Sequence, residues 1–584
     1  MRERLRRVRY MVADVLYVAG RGVASFGRRI GGLGGEIGPA WRRLPLGLRQ
    51  GVAAAVALGV LLIAFVALAV PALPCGFPGG DTCPPADEAA EVVPAEALAY
   101  AHVNVDPGTE QFEQLSGTAE AVPGFREQIV ARALALIPGP GGEPPDYAAD
   151  VEPWFGGEAA VAVIPGPSTS TERVVLLEAD DAGGARGYAE SLAAGLPQPE
   201  DYRGVELTTD QRDVATAQVE GFLAVGSRSG VRAVIDTATG APDATALADD
   251  DLASEVRDQL PDHRFAEAWI SRDGATDLFT AGGTLGSLAP FLSPESTDGA
   301  AIAISAGEDE LRLAVRSALN PEREETSPGF FAAFPSFEPT LTEEFADDSL
   351  AYVGIGDPGG TVRELLGQAA AEAPGIASGF DDLVDALRRD DGIDIEKELL
   401  PALGDEGAFV VEPNDPIPYL EFVSDGVDEE AARRALAALQ KPVAEAVDPG
   451  TGLQAPVFTE EQVGGTTAHS LRVSPVVDLT YAVFEGLAAI ASDPAGISQL
   501  TEGDGGLAES AGFERATEGF EDEVSLLAYL DLRRLIEEGI ERGLAQVPAF
   551  NTFAEDFRSL DALGLAVRRA DDTLATDTRL VFGK

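Results

Sequence analysis

Cysteine, histidine and basic side chains are scarce in this sequence of 584 residues. Two cysteines and three histidines exclude zinc fingers, multi-thiol metal sites and a disulfide-rich scaffold. The 42 basic side chains stand against 98 acidic ones, a formal net charge of -56. This balance excludes a nucleic-acid-binding protein, because such proteins neutralise phosphate with clustered Lys and Arg. A hydrophobic content of 45% excludes disorder of the whole chain.

The charges are separated along the chain. Residues 1–50 contain eleven arginines and three acidic side chains, whereas residues 51–73 contain no charged side chain. The remaining residues contain 31 basic and 95 acidic side chains. As a helix the uncharged stretch reaches roughly 34 Å, which is enough to cross the apolar core of a bilayer. Residues 51–73 are therefore predicted to form a transmembrane helix.

The arginines set the predicted orientation. The positive-inside rule puts residues 1–50 in the cytoplasm and the acidic bulk outside the cell membrane. A cleaved signal peptide and a lipoprotein signal ending at Cys75 are the alternatives. Fifty residues precede the apolar stretch and Pro74 precedes the cysteine, and both facts favour an uncleaved, single-pass signal anchor.

The cytoplasmic segment 1–50 has apolar residues at three- and four-residue spacing, with most of its arginines off that stripe. This pattern predicts an amphipathic helix that lies on the anionic lipid of the inner leaflet. A disordered, arginine-rich retention signal is the alternative.

Cys75 and Cys83 enclose a Gly- and Pro-containing turn just outside the predicted membrane. An oxidising compartment and a short turn favour a disulfide loop between them. Two unpaired thiols and pairing with another chain are the alternatives. A stalk rich in Cys and Pro, residues 74–93, is predicted to lead into the ectodomain.

The ectodomain contains an internal repeat. Leu98-Ala99-Tyr100 recurs as Leu350-Ala351-Tyr352, each followed by an Asp-Pro pair, and Val219–Ser227 recurs as Phe484–Ser492. Six such blocks occur twice in the same order. They define ectodomain unit one, residues 94–320, and ectodomain unit two, residues 346–584.

Strands with period-2 alternation mix with amphipathic helices in both units, which predicts an α+β fold with largely antiparallel sheets. A connector, residues 321–345, joins the units. Its aromatic residues are predicted to be buried and to strap one unit to the other, with a partner or membrane contact as the alternative. They are Phe330, Phe331, Phe334, Phe337 and Phe345.

These motifs resemble a known family of bacterial membrane-anchored proteins, the domain-of-unknown-function family numbered 3352. The resemblance rests on the Leu-Ala-Tyr strand with its Asp-Pro, and on the turn Pro153-Trp154-Phe155-Gly156-Gly157-Glu158. It covers most of residues 92–584. The family has no assigned activity, so the resemblance implies no catalytic residues. Unit two has Ala402 where unit one has Trp154.

Motifs for chemistry are missing from the sequence. There is no phosphate-binding loop, and the near match to a nucleophile elbow at Gly226–Gly230 has Arg228 where the serine is required. His102 is predicted to be an exposed residue on the polar face of the first strand. His263 and His469 are predicted to be surface or loop residues. No catalytic, cofactor-binding or metal-binding residues are predicted.

The sequence thus predicts a non-enzymatic envelope protein whose extracytoplasmic module binds an envelope protein or lipid, or has a structural role. One alternative is an extracytoplasmic hydrolase or transferase, which predicts a polar cleft in one unit that the other unit lacks. A second alternative is a carrier of an apolar ligand, which predicts a large apolar cavity.

Overall fold

The computed structural model of the protein describes residues 86–583, apart from 107, 138, 140–142, 168–169, 193–197, 282–294, 325–333, 373–383, 386, 448–455, 504 and 571. The predicted cytoplasmic segment, the predicted span and both cysteines lie outside the described residues. Among the described helices, none is long and apolar enough to cross a membrane.

Within the described residues, twenty strands form the framework. In the first half (residues 86–320) they are β1 (Ala99–Asn104), β2 (Phe155–Pro165), β3 (Thr171–Ala179), β4 (Gln198–Tyr202), β5 (Val205–Thr209), β6 (Val214–Val219), β7 (Phe222–Ser227), β8 (Ala266–Ser271), β9 (Thr297–Gly307) and β10 (Glu310–Leu319). In the second half (residues 334–583) they are β11 (Ala351–Gly356), β12 (Glu406–Glu412), β13 (Tyr419–Asp425), β14 (Thr459–Val463), β15 (Thr466–Ser474), β16 (Val477–Phe484), β17 (Leu487–Ala491), β18 (Leu526–Asp531), β19 (Leu560–Ala570) and β20 (Thr573–Phe582).

The strands pair in the same order in both halves. β1 lies between β2 and β8, followed by β3, β7, β6, β5 and β4 on one side and by β9 and β10 on the other. β11 lies between β12 and β18, followed by β13, β17, β16, β15 and β14 on one side and by β19 and β20 on the other. β10 pairs with β20, so that all twenty strands form one antiparallel sheet. The predicted α+β class with largely antiparallel sheet is confirmed.

The helices pack on the faces of this sheet. They are α1 (Glu110–Ala121), α2 (Pro123–Leu134), α3 (Ala182–Leu192), α4 (Arg228–Ala238), α5 (Asp251–Arg257), α6 (Arg272–Ala281), α7 (Pro321–Glu324), α8 (Pro358–Glu372), α9 (Glu429–Val447), α10 (Pro494–Glu502), α11 (Ala511–Thr517), α12 (Leu532–Glu541), α13 (Pro548–Thr552) and α14 (Ala554–Ser559).

Polar residues begin several helices by accepting a backbone N–H of the first turn. Ser227 caps α4 and Asp493 caps α10, where Pro494 follows in the first helical position. Asp250 caps α5 and Ser510 caps α11. The sequence therefore marks where these four helices start.

Two tight hairpins connect matching strands. Glu220 and Gly221 join β6 to β7 with φ of 45° and 89°, and Glu485 and Gly486 join β16 to β17 with φ of 51° and 85°. Positive φ at both central residues is the signature of the type I′ turn, whose twist suits an antiparallel hairpin. Glycine takes the second position in both turns because it adopts positive φ without strain.

The core of the first half extends toward the N-terminus. Residues Ala89–Val93 lie in the part of the chain predicted as a stalk, yet Ala89, Ala90, Val92 and Val93 are buried against β2, β7 and α5. This segment folds onto the sheet because its small apolar side chains fill the space beside Tyr100. The stalk boundary predicted at residue 93 is therefore corrected toward the N-terminus.

Two aromatic residues of the connector between the halves are buried. Phe334 packs with Leu319, Val567 and neighbouring residues, and Phe345 lies in the core of the second half beside Tyr352. The predicted burial is confirmed for these two aromatic residues. Phe330 and Phe331 lie outside the described residues.

Candidate functional site

His102 lies at the centre of a buried cluster of ionisable side chains in the first half. It sits on β1, between Ala160 of β2 and Glu267 of β8, and is only 1% exposed. The prediction of an exposed histidine is wrong. Strand alternation correctly separates the two faces of β1, but the segment Ala89–Val93 and helix α5 cover the face that carries His102.

Three carboxylates surround the imidazole. Oε1 of Glu158 lies 3.4 Å from Nε2 of His102 and also accepts the backbone N–H of Ala89 at 2.8 Å. Asp87 accepts the hydroxyl of Tyr100. Glu267, the neighbour of His102 across the strand pair, is 2% exposed. The cluster thus joins the N-terminal segment 86–93 to β1, β2 and β8.

Two arginines oppose these carboxylates. Arg257, the last residue of α5, pairs with both Asp87 and Glu267, and Arg264 pairs with the other oxygen of Glu267. Three carboxylates and two guanidinium groups leave one negative charge. A proton on His102 removes it, so the cluster is neutral when the imidazole is charged.

The pKa directions agree with this balance. Burial lowers the pKa of His102, but Asp87, Glu158 and Glu267 act in the opposite direction and the net pKa is raised. Burial raises the pKa of Asp87, but His102 and Arg257 outweigh it and the net pKa is lowered. Burial and the adjacent Asp87 raise the pKa of Tyr100 well above its usual value. An ionised Asp87 and a protonated His102 are thus the favoured forms.

Asp87, His102 and Glu158 are the candidate metal ligands of this cluster. Each offers one ligand atom, and these atoms lie within 4.8 Å of one another. A divalent ion would displace the proton of His102 and leave the cluster with one excess positive charge, because Arg257 and Arg264 remain. The charge balance therefore fits an imidazolium better than a metal ion, and the arrangement ties the segment 86–93 to the sheet.

The second half has a different set of residues at the corresponding positions. Gly354 of β11, between Ala408 and Leu527, occupies the place of His102, and Leu527 that of Glu267. Thr517 ends α11 as Arg257 ends α5. Glu406 corresponds to Glu158, since it accepts the N–H of Leu341 at 3.1 Å as Glu158 accepts that of Ala89. The same framework therefore folds without the charged cluster.

A cleft of about 780 Å³ opens where the two halves meet. Its walls come from α1, from the segment before β8 and from the β9–β10 hairpin in the first half, and from α11, Glu518 and β20 in the second half. The lining residues include Gln111, His263, Glu310, Arg312, Arg515 and Glu518. This cleft is composite, because neither half alone supplies all of its walls.

Arg579 of β20 bridges the two halves beside the composite cleft. Its guanidinium lies 3.0 Å from Glu310 of the first half and 3.0 Å from Glu518 of the second. A neighbouring cleft of about 220 Å³ is lined by Arg312, Arg316 and Arg579 together with Glu518. Although the chain is strongly acidic, the arginines of β10 and β20 therefore meet at the seam between the halves.

The other residues singled out from the sequence are not brought together. His263 lines the composite cleft, whereas the ring of His469 on β15 stacks on Tyr481 with centroids 4.9 Å apart. Arg228, at the elbow-like sequence, pairs with Glu200. Sequence reasoning missed Asp87, Glu158, Arg257 and Glu267, because nothing in their spacing predicts that four distant segments meet at His102.

The described part of the chain is thus an α+β protein built on one antiparallel sheet, with a buried ion cluster in its first half. Residues 51–578 match the family model described as "Protein of unknown function (DUF3352)", and the chain belongs to this family. A comparison with curated proteins gives no match.

Solved structures give distant likenesses. Crystal form I of TP0453 is 8% identical, with a TM-score of 0.24, over 40% of this chain and 78% of that chain. Crystal form III of TP0453 is 10% identical, with a TM-score of 0.24, over 42% of this chain and 81% of that chain. Likenesses at this score carry no argument about function.

Proposed function

We propose that the protein is a single-pass membrane protein of the cell envelope whose duplicated extracytoplasmic module binds an envelope protein or lipid without catalysis. The composite cleft is the observation that carries the binding role. A module whose two halves join through equivalent strands creates, at the seam, a polar surface that a single copy does not have.

The order of strands supports the duplication. Both halves have the same ten-strand order, the same Glu-Gly hairpin turn and a capped helix after β7 and β17. The two halves meet at β10 and β20, the last strand of each. A gene duplication followed by fusion accounts for all of these features together.

The uncharged residues 51–73 support the anchor, with eleven arginines before them and an excess of acidic residues after them. The family match begins at residue 51, the first residue of this stretch. In intact cells, an epitope tag at the C-terminus is expected to be removed by external protease, and a tag at the N-terminus to be protected. The reverse pattern would overturn the orientation.

The arginine-rich segment 1–50 is proposed to contact anionic lipid of the inner leaflet. A peptide of this sequence is expected to bind vesicles that contain anionic lipid and to leave them as salt is raised. Equal binding to neutral vesicles would contradict this role.

The burial of His102 supports a non-catalytic module. A substrate cannot reach the imidazole in this arrangement, because His102 is only 1% exposed. The composite cleft has walls from both halves, unlike the cleft in a single half that the hydrolase alternative predicts.

Photo-crosslinking in intact cells tests the binding role. A photoreactive amino acid is placed at Gln114 or His263, which line the composite cleft, and at Glu430 on α9 as a matched exposed control. Adducts are expected from the two cleft positions. Absence of adducts there, or equal adducts from Glu430, would count against the cleft as the binding surface.

A further inference from the structure

Two glutamates of the second half are buried on neighbouring strands. Glu412 on β12 is 1% exposed and Glu421 on β13 is 3% exposed. In the strand register Glu412 lies opposite Tyr419, and Glu421 lies opposite Val410. Residues two apart on one strand share a face of the sheet, and so do residues that lie opposite each other on paired strands. Tyr419 and Glu421 therefore point to the same side, and Glu412, which lies opposite Tyr419, points to that side as well.

These carboxyl groups have few partners. Ser349 donates its hydroxyl to Oε1 of Glu412 at 2.6 Å. Within the described part of the chain, Oε2 of Glu412, Oε1 of Glu421 and Nε2 of the nearby Gln499 have no hydrogen-bond partner. Buried carboxylates without a partner are very costly, so each needs either a proton or a cation.

The contrast with other buried acids of the sheet is clear. Glu267 faces two arginines, and Glu406 accepts two backbone N–H groups and a hydroxyl. Arg534, the cation that acts on Glu412, already donates to the carbonyl of Asp347 at 3.0 Å and lies 3.5 Å from Asp531. Glu412 and Glu421 thus lack a dedicated basic partner.

An acidic pocket of about 270 Å³ adjoins this pair. Two of its lining residues are next to the site in the chain: Asp348 precedes Ser349, and Pro413 follows Glu412. The remaining acidic lining residues are Glu537, Glu538 and Glu541 of α12. Four carboxyl groups against the single guanidinium of Arg534 attract cations to the neighbourhood of Glu412, whose chain neighbour Pro413 lines the pocket.

Several acidic side chains affect the pKa of Tyr419. Burial raises the pKa of its phenol, and Glu412, Glu421, Asp348 and Asp493 raise it further. Burial likewise raises the pKa of Glu412 to about 7 and that of Glu421 to about 8. Burial therefore disfavours an ionised form of either glutamate that has no positive charge beside it.

The first half shows that the fold does not require this polar group. By strand register and helix position, Ile164, Val174 and Ala233 occupy the places of Glu412, Glu421 and Gln499. Gly230 and Gly496 hold the same position in α4 and α10. A Cβ on Gly496 would lie 3.1 Å from Cδ of Glu421, so this glycine leaves room for the carboxyl group.

We propose that Glu412 and Glu421 form a binding site for a hard divalent cation of the calcium class. Carboxylate oxygens are the ligands that such cations prefer, and Ser349, Tyr419 and water from the acidic pocket can supply further oxygens. Calcium fits better than magnesium, because magnesium gives up its water reluctantly and the two glutamates are buried. This inference does not depend on the proposed binding role of the seam.

The test uses the full-length protein in detergent, freed of metal with a chelator. Calcium is expected to raise the melting temperature and to give a one-to-one binding component in calorimetry, and magnesium to do so more weakly. The double variant E412Q/E421Q is expected to lose both effects. The variant E430Q/E460Q removes the same charge from exposed positions and is expected to keep them.

Two outcomes would overturn the site. One is a calcium response in E412Q/E421Q equal to that of the wild type, which would assign the effect to the acidic surface. The other is the absence of a calcium response in the wild type, which would show that the two glutamates bind protons and no calcium.

Terbium luminescence gives a readout that does not need the double variant to fold. Terbium bound between the glutamates is expected to emit when tyrosine is excited, because Tyr419 is adjacent, and calcium is expected to displace it. The variant Y419F should lose most of this emission. Unchanged emission would place the ion elsewhere.

Discussion

Oδ2 of Asp556 in the second half accepts the backbone N–H of Phe125 in the first half at 2.9 Å, across 431 positions of the chain. The other oxygen of the same carboxylate accepts the N–H of Gly124 at 3.0 Å. Asp556 is 1% exposed and acts as the N-terminal cap of α2 from another part of the chain. The ring of Phe125 stacks on Phe553, with centroids 5.0 Å apart, beside this contact.

Replacing Asp556 is expected to loosen the seam. D556A leaves two partly buried N–H groups without their acceptor and should lower the free energy of unfolding by about 1–3 kcal/mol. D556N keeps one acceptor and should cost less. Urea denaturation of the full-length protein measures both, and an unchanged midpoint for D556A would show that the contact does not stabilise the seam.

The His102 cluster predicts a pH-dependent stability. The pKa of His102 is raised above 6.5 in the folded protein, so its contribution is complete below about pH 6.5 and is lost as pH rises through the folded pKa. H102Q should remove this pH-dependent loss of stability. At low pH its free energy of unfolding should be lower than that of the wild type by roughly 1–3 kcal/mol. Melting temperatures across pH 5–9 check this, with H263Q as the control, and parallel curves for wild type and H102Q would contradict it.

The ion pairs around Glu267 predict that substitutions of Glu267 and Arg257 have strongly non-additive effects on stability. E267L introduces the leucine that the second half has at this position, but it leaves Arg257 and Arg264 without a carboxylate between them. The free energy of unfolding should therefore fall by about 3–5 kcal/mol. Adding R257T, also taken from the second half, should recover part of that loss. A double-mutant cycle measured by denaturation tests this, and additive effects of the two changes would argue against a coupled cluster.

The two Glu-Gly turns leave room for stabilisation. Asparagine tolerates positive φ better than glutamate does, so E220N and E485N should each raise stability by about 0.5–1 kcal/mol. G221A and G486A should lower it, because alanine is strained at φ of 89° and 85°. Thermal unfolding measures all four variants, and a destabilised E220N would show that Glu220 makes a contact that outweighs the turn.

The buried ring of Phe334 is expected to hold the connector against both halves. Its ring is buried with Leu319 of β10 and Val567 of β19, on either side of the β10–β20 seam. F334A should lower the free energy of unfolding by about 3–5 kcal/mol, whereas F334L should lower it less because leucine refills most of the cavity. Limited proteolysis is expected to cut F334A faster between residues 321 and 345, and equal cutting of wild type and variant would contradict a strapping role.

Much of the fold was predictable because its signals are local. Period-2 alternation depends on a few consecutive residues and predicted the antiparallel strands. The Glu-Gly turns and the Ser and Asp caps seen in the structure are equally local. The matching blocks, such as Val219–Ser227 and Phe484–Ser492, also follow from the sequence alone. The exposure of His102 was not predictable in this way, because alternation separates the two faces of a strand without showing what covers each face.

The amino-acid sequence by itself determined the element types, the α+β class, the family and the separation of charge along the chain. Only the tertiary structure decided that Asp87, His102, Arg257 and Glu267 meet in the first half and that Glu412 and Glu421 meet in the second. The same is true of the seam, where the last strands of the two halves pair. The physical reason is that these contacts join segments up to hundreds of residues apart, and their distances depend on strand order and register, which no local pattern specifies.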